Sequence, residues 1–110
     1  QRPRRAPREI VAVAHNADFD ILALEAAMYR RDKTDLIPVQ RVCTMRSTTE
    51  LCRLEPFRYG TFKWPTLSEL HTHLFGEDFE GAHNAFDDVL ACAHSFFELK
   101  ARGFDSWQTV

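Results

Sequence analysis

"IVAVAHNADFDILAL", residues 10–24, changes periodicity at its centre, and that change decides the fold class. Ile10 to Ala14 form a short, β-rich apolar run that reads as a buried strand. The polar pair His15-Asn16 breaks it. From about Ala17 to Arg31, "ADFDILALEAAMYRR" is rich in helix formers and holds neither glycine nor proline, so a helix follows at once. It is apolar on nearly every side and is expected to be covered on more than one face. A buried strand that feeds such a helix points to an α/β layer.

Further along, Pro38 precedes "VQRVCTM", residues 39–45, a second short strand. "RSTTELCRLE", residues 46–55, reads as a short helix ended by Pro56. "PFRYGTFKW", residues 56–64, has the glycine, aromatics and basic residues of an exposed loop. Pro65 opens "TLSELHTHLFG", a helix spaced on Ser68, Leu70 and Leu74 with a natural stop at Gly76. Acidic "EDFEG" then leads to a long last helix, from about Ala85 to Ala101, stopped by Gly103. Two strands make a meagre sheet, so a further strand is expected to pair with "IVAVA".

Bulk composition narrows the class. The chain has 110 residues, 45% hydrophobic and 27% charged, which suits one globular domain. No apolar run approaches the roughly 18 residues of a membrane span, and no secretory signal is visible, so no membrane partner is expected. Cys43, Cys52 and Cys92 are odd in number and form no C-x-x-C pair. That argues against a disulfide framework or a zinc site and for a reducing, cytoplasmic setting. The net charge of -2 decides nothing about nucleic acid, but "QRPRRAPR" concentrates four arginines before the first acid. Residues 1–9 read either as a flexible, solvated lead-in or as a phosphate-binding arm. Because the chain opens on Gln1 and leads directly into a strand, it suggests the latter part of a longer protein.

The second informative stretch is "GAHNAFDDVLACAHSFFEL", residues 81–99. With Asn84 as N-cap, Asp87 falls at N3 and answers the helix dipole. Taking Phe86, Val89, Leu90, Cys92, Ala93, Phe96, Phe97 and Leu99 as the apolar side, Asp87 lies roughly 150° from its centre and Asp88 roughly 110°. Asp87 is therefore expected in water and Asp88 at the border of the core. His83 and Asp88 then occupy the two positions of a hydrophobic staple, with an imidazole and a carboxylate in place of apolar groups. Such a carboxylate would hold the imidazole and favour its charged form. The pair reads either as a capping ion pair or as tuned proton-transfer groups.

"HNADFD" at residues 15–20 echoes "HNAFDD" at residues 83–88. Asp20 shares a helix side with Leu24 and Ala27, so it too is an acid on an apolar surface. Such an acid costs free energy unless it is paired, capped or bound to a cation. Two such acids at helix starts can converge at one end of a sheet, where oxygen ligands suit Mg²⁺ or Mn²⁺ and phosphodiester hydrolysis.

These residues resemble the DEDDh 3′→5′ exonucleases, the DnaQ-like group. "VAHNADFDILAL" looks like the second motif, H-N-x-x-F-D, and "GAHNAFDDVLACAHSFFEL" like the third, H-x-A-x-x-D before a small-residue helix. "KWPTLSELHTHLFG" is similar to the segment ahead of the third motif, so the resemblance runs from about Val11 to Leu99. It implies an RNase H-like α/β fold over residues 10–102, with 103–110 as a C-terminal tail. It also implies two Mg²⁺ or Mn²⁺ ions and release of nucleoside monophosphates from single-stranded or frayed 3′ ends. DNA ranks ahead of RNA as substrate, and a DNA polymerase is a candidate partner. Asp20 would hold the metal cluster, directly or through water; Asp88 would be a direct ligand. His83 would be the general base, with Asn16 and Phe19 at supporting positions and Phe19 shaping the terminal-nucleotide pocket.

One departure bears on activity. The family's first motif, an aspartate and a glutamate two apart on the first strand, has no match: "REIVAV" offers only Glu9. The fold is thus expected to lack its N-terminal strands here, and the chain alone to bind metal poorly and hydrolyse little. Two rivals stay open: an RNA-processing exonuclease, and a non-catalytic nucleic-acid-binding or assembly module. His71, His73 and His94 read as surface histidines. Arg58, Tyr59, Phe62, Lys63 and Trp64 mix basic and aromatic groups as single-strand contacts do, though a plain loop over the core reads equally well.

Overall fold

The computed structural model describes residues 10–81 and 84–110; the basic lead-in and His83 lie outside the described residues. Strand β1 (Val11–Ala14) passes through His15 and Asn16 into helix α1 (Ala17–Arg30). Asn16 makes the turn possible by taking a left-handed backbone, φ 70°, a conformation asparagine tolerates better than most residues. A short 3-10 turn (Thr34–Leu36) and buried Pro38 return the chain to strand β2 (Gln40–Cys43). β1 and β2 pair in parallel, Val11 beside Gln40 through Ala14 beside Cys43, so the first unit is β-α-β. The fold is mixed α/β, with β1–β2 as one small sheet and a hairpin as a second.

The next segment departs from the expected single helix. Helix α2 (Thr44–Ser47) begins directly at the end of β2, and helix α3 (Thr49–Cys52) follows after a break at Thr48. Ser47, Thr48 and Thr49 each turn a hydroxyl back to a carbonyl four residues earlier, at 2.6, 2.7 and 3.0 Å. Such back-bonding satisfies buried hydroxyls but tends to bend a helix, in keeping with the two short pieces. Arg53, with φ 50°, then ends α3 before Pro56 is reached. The expected loop at residues 56–64 is instead most of an antiparallel hairpin, β3 (Leu54–Arg58) and β4 (Thr61–Lys63).

Helices α4 (Leu67–Phe75) and α5 (Ala85–Ala101) agree with the sequence expectation. Thr66 and Glu69 form a reciprocal capping box at the start of α4, and Gly76 ends it at φ 79°. The Asn84 side chain caps α5 by accepting from the amides of Phe86 and Asp87. Leu70 and Leu74 of α4 pack with Leu99 of α5 and Cys52, and Phe104 and Trp107 close over them. Residues 104–110 therefore belong to the packed fold. They also cover the outer edge of β2: Cys43 N–H donates to Gln108 O at 2.9 Å and Val110 N–H to Arg41 O at 3.1 Å. No strand among the described residues pairs with the other edge of β1.

Two expectations about faces need correction. α1 is not covered on several sides: only Ala17 and Ile21 are buried, while Phe19, Leu22 and Tyr29 are exposed. On α5 the buried residues are Ala91, Cys92, Ser95 and Leu99, while Phe86, Val89, Leu90 and Phe97 are exposed. The small residues face inward because α5 lies close to β1 and α4, where large side chains do not fit. Asp87 is not in open water either. It is half-buried, like Asp88, and its carboxylate lies where a Cβ on Gly81 would fall, 2.1 Å away. No helix among the described residues is long and apolar enough to cross a membrane.

Candidate functional site

At the C-terminal end of β1, three elements meet: the β1–α1 turn, the start of α2 and the first half of α5. His15 is the peg that joins them. Its Nδ1 lies 3.0 Å from Thr44 Oγ1, and its Nε2 lies 2.8 Å from the Pro65 carbonyl. Pro65 offers only an acceptor, so Nε2 carries a proton. Burial pushes the His15 pKa below its ordinary value, against the pull of the Pro65 carbonyl and of Asp20. Both ring nitrogens are thus engaged, and they tie the β1–α1 turn to Thr44 and to Pro65.

Asp20 stands one turn into α1, on the rim of a groove of about 520 Å³ between β1 and α5. Val11, Val13 and Ala14 form one wall, and Val89, Cys92 and Phe96 line much of the other. This apolar surface desolvates the carboxylate and raises its pKa, while the nearby His15 lowers it. Asp20 forms no ion pair among the described residues. It is an acid on a largely apolar groove that Lys100 also lines.

Asp88 lies in the first turn of α5, with its amide bonded to Asn84 O at 2.9 Å. It stands three, four, seven and eleven residues before Ala91, Cys92, Ser95 and Leu99, so it shares their inward-facing stripe. The 110° offset expected from the sequence was too large, because the true centre of that stripe is the small residues. Asp20 reaches the same stripe from α1. The Cys92 thiol is pushed up by burial first, and the Asp20 carboxylate adds to that rise. Asp20 thus acts electrostatically on the residue one helical turn beyond Asp88.

Two carboxylates at helix starts, Asp20 on this groove and Asp88 one turn before Cys92, offer anionic oxygen of the kind a hard divalent cation takes. Asp20 and Asp88 would hold such an ion; Mg²⁺ or Mn²⁺ supplies charge neutralisation and a more acidic bound water. Among the described residues no group of three or more His, Cys, Asp or Glu forms a cluster able to hold a metal. Two carboxylates are a partial set.

The other named residues fall as follows. Asn16 is exposed in the β1–α1 turn, and Phe19 stands out from α1 with 68% of its surface exposed. His73 and His94 are exposed. His71 is half-buried, its Nδ1 2.6 Å from Glu77 O and its ring against Phe75 and Phe79. Sequence reasoning missed Thr44 and Pro65 as the anchors of His15, because both partners are distant in the chain. Compared with protein-family models, with curated proteins and with solved structures, the chain matches none.

Proposed function

We propose that this chain is part of a metal-dependent 3′→5′ exonuclease of the DEDDh kind, with an RNase H-like fold and DNA ahead of RNA as substrate. The observation that supports the reading is that Asp20 lines the open β1–α5 groove together with Cys92, which stands one helical turn beyond Asp88. The edge of β1 that no strand among the described residues pairs supports it, since a further strand laid there would bring its own side chains to the groove that Asp20 lines. In this reading Asp20 and Asp88 hold divalent metal, and His83 removes the proton from the attacking water. Phe19, exposed beside Asp20, offers a face to the terminal base.

The test is Mg²⁺-dependent release of nucleoside monophosphates from a 3′-ended oligonucleotide by the full-length protein. Asp88→Asn should abolish release and Asp87→Asn should leave it nearly unchanged. His83→Ala should slow it roughly 10²- to 10⁴-fold. Equal loss from both aspartate substitutions would refute the assignment of Asp88, and absence of any Mg²⁺-dependent release would refute the enzyme. The second outcome would favour a non-catalytic assembly module, for which the exposed Phe86, Val89 and Phe97 on α5 provide an apolar surface.

A further inference from the structure

The β3–β4 hairpin carries more exposed aromatic surface than its folding requires. Its turn is Tyr59-Gly60, with φ of 53° and 80°, the two left-handed positions of a type I′ hairpin. Asparagine or aspartate usually fills the first of these, because other side chains crowd the backbone there. Here it is a tyrosine, wholly exposed at 102%. Phe57 and Trp64 are each more than half exposed on the same hairpin or just beyond it. Isolated exposed aromatics need no explanation, but three within eight residues do.

Cations are interleaved with these rings. Arg46 lies 5.4 Å from the centre of the Trp64 ring, and Arg53 lies 5.9 Å from that of Phe62. Lys63 pairs with Glu69 and Arg46 with Asp18, yet Arg53 and Arg58 have no carboxylate partner among the described residues. Tyr59, Arg58 and Trp64 also border an open depression of about 460 Å³. On a chain of net charge -2, this is a locally basic, aromatic surface.

We infer that this hairpin is a stacking platform for single-stranded nucleic acid. Free base faces stack on exposed rings, and phosphates complement unpaired guanidinium groups. A duplex hides its base faces and gains only the charge. The platform adjoins the candidate site: the Pro65 carbonyl, next to Trp64, is bonded to His15, and Arg46 spans Trp64 and the first turn of α1. The inference that the bound strand leads towards Asp20 rests on the exonuclease reading, but binding itself does not.

The experiment is fluorescence anisotropy of a dye-labelled oligothymidylate with the full chain in EDTA, where no metal-dependent hydrolysis occurs. Tyr59→Ala and Trp64→Ala should each weaken binding roughly 5- to 100-fold, with Trp64→Phe restoring most of the loss. Arg58→Glu should weaken binding and flatten its salt dependence. Thermal unfolding of each variant separates lost contact from lost fold, and Tyr59, being fully exposed, is the cleanest position. Affinity unchanged in Tyr59→Ala and Trp64→Ala overturns the platform, as does a blunt duplex that binds as tightly as the single strand. So does binding that vanishes only when Arg2, Arg4, Arg5 and Arg8 are neutralised. Tyr59-dependent binding without hydrolysis by the full-length protein would leave the platform standing and remove the exonuclease. Hydrolysis with hairpin-independent binding would do the reverse.

Discussion

His15 and His83 begin nearly identical hexapeptides, and spacing alone does not tell them apart. For His15 the fold decides, because both ring nitrogens are spent on Thr44 and Pro65. This has a consequence for pH. The folded form holds His15 below its ordinary value of 6.5, so it binds fewer protons than the unfolded chain as that value is approached from above. The contribution of a neutral His15 is therefore fully present above about pH 6.5 and is lost as pH falls towards the depressed value. The melting temperature should drop between about pH 7.5 and 5.5, and His15→Asn should flatten that slope. The raised carboxyl of Asp20 favours the folded form as pH falls, the opposite sign, and the lowered one of Glu69 acts below its ordinary value of 4.5, so neither imitates it. A variant that keeps the full slope would remove His15 as its source.

At the scale of elements, α5 shows most directly how much local sequence can specify. Its cap at Asn84 and its span to Ala101 follow from short-range rules, namely a side chain that answers free amides and a glycine beyond the end. Its buried face does not. Hydrophobicity nominated Phe86, Val89 and Phe97 along with Cys92 and Leu99, whereas the neighbours bury only the last two of these, beside Ala91 and Ser95. Ser95 is fully buried, and its hydroxyl has no hydrogen-bond partner among the described residues. An unsatisfied buried hydroxyl is a cost, so Ser95→Ala should leave stability unchanged or raise it by up to about 1 kcal/mol in denaturant unfolding. A loss above about 1 kcal/mol would mean that the hydroxyl has a partner. The hairpin was hidden for a related reason. Pro56 and a left-handed tyrosine are poor strand and turn signals, and pairing of Leu54 with Lys63 and Arg58 with Thr61 overrides them.

On the scale of the whole molecule, the β1–α5 groove and the edge of β1 left unpaired among the described residues set what the domain can accept. Phe97 is 63% exposed and Leu99, two residues on, is 1% exposed. In the 110-residue chain, Phe97→Lys should change unfolding free energy by less than about 0.5 kcal/mol, whereas Leu99→Ala should cost about 2–5 kcal/mol. Comparable losses from both would show that polypeptide already fills the groove. Local sequence was enough for β1, α1, α4 and α5, the cap at Asn84, the stop at Gly76 and the two acids at helix starts. Those features depend on backbone sterics and on side chains within a few residues, which any local window contains. Tertiary contacts decide which face of α5 is buried, that residues 104–110 cover β2, that the His15 ring is bonded to Thr44 and Pro65, and that Asp20 shares a groove with Cys92 of α5. Each of these depends on contacts between segments dozens of residues apart, and what may be buried there is set by the space the partner leaves.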